Sequence, residues 1–138
     1  MFEIFCSWFN GCWNNQKQAY RDPRGQALVH VIHELVGNEF YCSYRHRRQR
    51  YPYRYFEAKV YHNDGNILLK NPTHDIIFRR ECAGFVSNEK FTKDGVLYIN
   101  QAYLGENHYH VKDQGFDLQS GKQLWGLDGD SFYEFDRT

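Results

Sequence analysis

No net charge, no long apolar run and no paired-cysteine spacing mark this chain, and each absence removes a class of function. Seventeen basic residues balance seventeen acidic ones, so net charge calls for neither a nucleic acid nor an acidic membrane surface as partner. No stretch approaches the roughly 18 consecutive apolar residues of a membrane span, and Met1-Phe2-Glu3-Ile4-Phe5 lacks a basic leader region, so the chain reads as a soluble, cytoplasmic protein. Cys6, Cys12, Cys42 and Cys82 never fall into a CxxC pair, which argues against a zinc site and for reduced thiols. Ser-His-Asp and Cys-His arrangements, phosphate loops and dinucleotide fingerprints are also missing, so hydrolysis and nucleotide chemistry lack support. With no repeat, linker or low-complexity segment, residues 1–138 read as one domain with one core.

Aromatic residues, by contrast, are abundant. They make up 18% of the chain, with eleven Tyr and eleven Phe, a composition that favours strands and aromatic-lined pockets. Phe2, Phe5, Cys6, Phe9 and Trp13 recur at helical spacing, predicting an opening helix to about Tyr20 that Arg21-Asp22-Pro23 stops. It would serve as a lid or plug. From Gly25 onward the pattern turns to about ten short strands, joined by turns such as Asp64-Gly65 and Lys93-Asp94-Gly95. An antiparallel sheet of this kind must close or pack face to face. The expected fold is therefore all-β, a closed lipocalin-like antiparallel barrel with an N-terminal helix and room for one small ligand; a sandwich is the alternative.

Three stretches carry candidate chemistry. Asp113-Gln114-Gly115-Phe116-Asp117 and Lys122 to Gly126 read as two strands around a turn at Ser120-Gly121, so that Asp113, Asp117 and Trp125 could line one opening. An acid beside an indole suits a flat, NH-rich ligand. The same pattern also fits a solvated hairpin with Trp125 in the core. Arg45 to Tyr55 interleaves five arginines with three tyrosines, which fits ligand carboxylates held by guanidinium forks, single-stranded nucleic acid, or a solvated loop. Pro52 sets Tyr53 and Arg54 at the start of a strand and so at a barrel mouth. His108-Tyr109-His110 puts two imidazoles on one strand face, but further ligands are missing, and no metal is expected.

Asn15-Gln16-Lys17-Gln18-Ala19 resembles the NQxQA motif of the CpeT/CpcT family, the T-type phycobiliprotein lyases of cyanobacteria and their phages. Pro52-Tyr53-Arg54 is similar to that family's PYR motif, Asp113 to Asp117 with Trp125-Gly126 to its DRGxD...WG segment, and Phe132 to Arg137 to its closing strand. These matches follow the family order from the first helix to the last strand. The resemblance implies a lipocalin-like barrel that binds a phycobilin, phycoerythrobilin or phycocyanobilin, and chaperones its thioether attachment to a cysteine of a phycobiliprotein β-subunit, of phycoerythrin or phycocyanin. A non-catalytic bilin carrier is the alternative.

Carried over by position, Asp113 would receive the pyrrole NH groups and share a proton with them as the catalytic group. Tyr53 and Arg54 would hold the ring system or a propionate, and Trp125 would wall the pocket. Gln16 and Asp117 complete the implied bilin site, although Gln16 could instead pin the helix and Asp117 brace the turn. The chain departs from the family at Gln114, where Arg is usual, and at Asn88 and Thr92, in a segment that often reads Cys-x-x-x-Arg. Its shortness resembles the phage-encoded members. Neither nucleic acid nor membrane is expected as a partner, and a homodimer is left open.

Overall fold

The computed structural model describes all residues from Met1 to Thr138. Helix α1 (Phe2–Phe9) and the short α2 (Gln16–Arg21) flank a first strand, β1 (Gly11–Asn14). The remaining strands are β2 (Val29–Val36), β3 (Glu39–His46), β4 (Arg54–Asn63), β5 (Asn66–Lys70), β6 (Asp75–Glu81), β7 (Gly84–Lys93), β8 (Val96–Leu104), β9 (His108–Asp117), β10 (Gln123–Trp125) and β11 (Tyr133–Arg137). All pairings are antiparallel. From β1 to β8 each strand pairs with the next; β8 also pairs with β9, β9 with β11, and β11 with β1, which closes a ring of ten strands. The eleventh, β10, shares with β11 the free edge of β9. The closed barrel expected from the hairpin series is the fold.

The hairpin turns follow from their residues. Asp64 and Gly65 (φ 48° and 80°), like Asp94 and Gly95 (φ 52° and 78°), take the positive φ at both central positions that matches the twist of the flanking strands. The opening helix is shorter than expected. Phe2, Phe5 and Phe9 do lie on α1, but Trp13 lies on β1, where it faces the interior opposite Val31 and Arg137. Its helical spacing from Phe9 is a coincidence, because period 2 from Gly11 buries the same residue.

Helix α1 fills one end of the barrel. Phe5 and Phe9 are fully buried and stack on each other at 5.4 Å; Phe5 also meets Phe78 and Phe85, and Phe9 meets Phe40 edge-on at 4.9 Å. Each such ring, removed from water, contributes about 1.5–3 kcal/mol. Arg137 secures the helix end: it stacks on Trp13 (4.2 Å) and donates to the carbonyls of Trp8 and Asn10, where the negative end of the helix dipole favours a cation.

The interior also carries a polar chain. His33 Nδ1 is 2.9 Å from the Phe9 carbonyl, which can only accept, so the ring is protonated there and Nε2 accepts from the Tyr44 hydroxyl (3.1 Å). Tyr44 in turn accepts from the Tyr109 hydroxyl (3.0 Å). Burial pulls the His33 pKa down to about 3, with smaller contributions from the cations Arg54 and Arg137. Between about 6.5 and 3 the unfolded chain binds a proton that folded His33 refuses, so stability falls as pH drops through this window, by up to about 1.4 kcal/mol per unit. Urea unfolding from pH 7 to pH 4 is expected to show this slope, and His33→Gln to flatten it.

Candidate functional site

The end of the barrel opposite α1 is open, and the first residue of β4 and the second half of β9 meet there. Arg54 pairs in register with Tyr44 on β3, and Asp113 pairs with Asn100 on β8, so period 2 turns all four side chains inward. Across the mouth, Arg54 Nη1 donates to Asp113 Oδ2 at 2.7 Å. Each side chain keeps about 30% of its surface exposed. The Arg54 guanidinium also lies over the rings of Tyr44 and Phe56, at 5.4 and 5.2 Å, so aromatic faces support it where water is thin.

The other carboxylate oxygen has two donors. Trp125 Nε1–H donates to Asp113 Oδ1 at 3.3 Å. Asn100 is oriented by its neighbours: with its nitrogen toward Asp113 it donates to Oδ1 at 2.7 Å and to the Ile99 carbonyl at 3.2 Å, while its oxygen accepts from His74 Nε2–H at 3.3 Å. Burial, then the field of Arg54, lowers the His74 pKa, which keeps the ring neutral. An aromatic wall continues from Trp125 through Tyr98 (5.4 Å) and Phe91 (4.8 Å, parallel) to His74 (4.8 Å).

Two glycines seat the indole. A Cβ on Gly115 would lie 2.3 Å from the Trp125 six-membered ring, so the ring lies on bare backbone. Gly126 has φ +100°, and a Cβ there would lie 2.3 Å from the Asp113 carbonyl. Both residues are needed to bring β10 flat onto β9 beside the carboxylate. Gly115→Ala is expected to cost about 1–3 kcal/mol or to swing the indole into water, read as a lower denaturation midpoint or red-shifted tryptophan emission.

Beneath the ion pair lies a cavity of about 40 Å³ between Phe9, Tyr44, Phe56, Ser87, Ala102 and Val111. Outside it is an open cleft of about 230 Å³, bounded by Arg54, Tyr55, His74, Tyr98, Asn100 and Trp125. No cysteine lines either space; all four thiols are free, with Cys6 and Cys42 buried in the core.

Of the residues singled out in the sequence, Arg54, Asp113 and Trp125 come together. Tyr53 stands on the adjoining rim, stacked on His46 at 4.5 Å and half exposed. Desolvation, with Tyr133 and Asp113 nearby, pushes its hydroxyl pKa up to about 12, so it is a neutral donor.

Asp117 and Gln16 lie apart from this cluster. Asp117 Oδ2 accepts from the Ser120 hydroxyl at 2.6 Å and the Ser120 amide at 3.0 Å, which braces the turn and lowers its pKa. Gln16 is on the exposed face of α2, bonded to Tyr20. Its motif neighbours are the buried ones: Asn15 bridges Ala27 and Val29, and Gln18 joins Phe132 and Glu134, so the motif fastens α2 to β2 and β11. Gln114 points away from the cleft and holds the Leu127 and Gly129 carbonyls. His108 and His110 are on the outer face of β9, with His108 bonded to Asp136. No three His, Cys, Asp or Glu side chains are placed to hold a metal ion. Asn100, His74 and Tyr98 went unremarked in the sequence; the inward phase of β8 was a signal for Tyr98 and Asn100, and nothing local marked His74.

In its ten-stranded barrel plugged by an N-terminal helix, the chain is CpeT/CpcT-like and resembles a short, phage-encoded protein of that kind. The T-type phycobiliprotein lyase CpeT of Prochlorococcus phage P-HM1 matches it with a TM-score of 0.85 and 26% identity over 100% of this chain and 98% of that one. The CRL protein of Arabidopsis matches with a TM-score of 0.75 and 15% identity, over 99% and 97% of the two chains, a likeness of fold. No protein-family model matches the sequence, and no curated protein matches it. No helix is long and apolar enough to cross a membrane.

Proposed function

We propose that the mouth of this barrel binds an open-chain tetrapyrrole and chaperones its thioether attachment to a cysteine of a phycobiliprotein β-subunit. The observation that carries the reading is the Asp113 carboxylate, fixed by Arg54, Asn100 and Trp125 at the floor of an aromatic cleft. A bilin is flat and presents a row of pyrrole NH groups and two propionates. Asp113 accepts from the NH groups, Trp125 and Tyr98 offer ring faces, and the remaining donors of Arg54, with the Tyr53 hydroxyl, suit a propionate. The likeness to a phage T-type lyase over the full chain supports the same ligand class.

The cleft sets the manner of binding. Ligand pockets of this type usually enclose roughly 300–1,000 Å³, and the outer cleft has about 230 Å³. Part of the pigment therefore stays outside the barrel, within reach of a second protein. The thiol is the acceptor's, since no cysteine lines the cleft. It adds across the pigment's exocyclic double bond: the carbon–sulfur bond forms, the thiol proton ends on pigment carbon, and nothing leaves. This chain's contribution is orientation, with Asp113 sharing a proton with the pyrroles to keep the pigment electrophilic.

A non-catalytic bilin carrier is the second reading, favoured because the Asp113 carboxylate is already paired with Arg54 and the base nearest it in the cleft, His74, reaches it only through Asn100. Mixing the protein with phycocyanobilin or phycoerythrobilin is expected to change the absorption of at least one. Unchanged spectra with both pigments would remove the reading. Pigment that survives denaturation on the acceptor indicates ligation, and pigment that does not indicates a carrier.

A further inference from the structure

The end of β3 and the loop that joins it to β4 carry the densest charge in a chain whose net charge is zero. No carboxylate occurs between Glu39 and Glu57, and Arg45, Arg47, Arg48 and Arg50 fall within six residues. All four are exposed. None makes an ion pair, whereas Arg54, four residues beyond the last of them, is matched by Asp113. A cluster of like charges that no nearby carboxylate pairs repels itself and presents a positive field to the outside, so local compensation falls to a partner.

Position decides what that compensation is. The loop forms one rim of the open mouth, yet Arg54 is the only arginine bounding the cavity or the cleft. The other four therefore stand beside the pigment's place without reaching into it. The interleaved tyrosines form no continuous stacking platform for a single strand: Tyr53 is occupied by His46, and Tyr51 lies under Arg50 at 5.8 Å. Further down the same hairpin, Glu39 and Glu57 would repel a phosphate backbone that ran along it.

Resting on the bilin reading, we infer that the Arg45–Arg50 rim is the docking surface for the acceptor protein, seating an acidic patch of that protein beside its reactive cysteine. Charges at a rim act over a Debye length of about 8 Å at physiological salt and raise the association rate more than they deepen the complex. The acceptor is thus steered to the side of the barrel on which the half-exposed pigment lies, and transfer becomes an encounter in one orientation.

The test uses the triple variant Arg47→Glu/Arg48→Glu/Arg50→Glu, whose side chains support no core. Wild type and variant are titrated with phycocyanobilin and phycoerythrobilin. Pigment-loaded protein is then mixed with the apo β-subunit of phycocyanin or phycoerythrin between about 0.03 and 0.5 M salt. Expected are equal pigment affinities, transfer slowed at least about tenfold in the variant at low salt, and a wild-type rate that falls with salt while the variant's does not. A triple Lys variant at the same positions is expected to keep the wild-type rate, since steering needs charge rather than a guanidinium fork.

Equal transfer rates for wild type and the Glu variant would overturn the inference. A parallel loss of pigment affinity would also overturn it and make these arginines propionate holders. So would salt-sensitive binding of a single-stranded oligonucleotide without association to either β-subunit. If wild type binds neither pigment, the bilin reading fails instead. The pigment-free association rates of wild type and variant with the apo β-subunit still judge the docking surface separately.

Discussion

Asp113→Asn is expected to lower affinity for an open-chain tetrapyrrole by about ten- to a hundredfold while leaving the barrel folded. The substitution keeps the shape and removes the charge. A charge-assisted hydrogen bond from pyrrole NH to carboxylate, worth roughly 1.5–3 kcal/mol, becomes an ordinary one. The amide oxygen can still accept from Arg54 or Trp125, so the apo site keeps part of its network. The bound pigment's long-wavelength band is expected to move to the blue, because an amide does not stabilise a protonated conjugated system. Trp125→Phe supplies the contrast, with weaker binding and a band in place. Wild-type affinity and an unshifted band in Asp113→Asn would leave Asp113 with the structural role of pairing Arg54.

Arg54→Ala is expected to have the second large effect, on both binding and stability. A rim residue would be dispensable for folding, but Arg54 roofs the inner cavity, rests on Tyr44 and Phe56, and is the only cation paired with Asp113. Its removal opens the space above the Tyr44–Tyr109 hydroxyls and leaves a carboxylate without its cation. About 1–3 kcal/mol of stability is expected to go, read as a lower urea midpoint, with pigment affinity at least about tenfold weaker. Arg54→Lys separates the contributions: it keeps the charge beside Asp113 but loses the planar fork. It is expected to recover stability more fully than affinity. A binding curve for Arg54→Ala that overlays wild type would confine Arg54 to the architecture.

The strands were legible because the chain punctuates them with turn residues of known geometry; Val96–Leu104 is bounded on both sides by glycine turns and is found at those residues. The β1 strand was not legible, since Trp13 satisfies the helical and the alternating period alike. In the site, Asp113 and Trp125 stand close in sequence on neighbouring strands, so local pattern could pair them. Asn100 is the direct partner of Asp113 across the β8–β9 hairpin, while His74 reaches that pair only through Asn100 and from the far-off turn before β6; strand periodicity gives the face of a residue but not its partner across a barrel. Gln16 and Asp117 illustrate the limit of a motif: it names residues without their directions, and here Gln18 turns inward while Gln16 turns out.

The closure of the ring has a consequence for how the protein is made. The hairpins from β2 to β9 join neighbours in sequence and can form while the chain is still being synthesised, but β1 pairs with β11, Trp13 against Arg137 and Asn14 against Asp136, at the two extremes of the chain. Such distant pairings come at a high loop-closure entropy and form late. The strand that carries Asp113 owes one whole edge to β10 and β11, the last to emerge. Until they arrive, Asp113 lacks the indole and the backbone that hold it. A nascent or nicked barrel would therefore be blind to pigment, and pigment capture would report that the final strand has found the first.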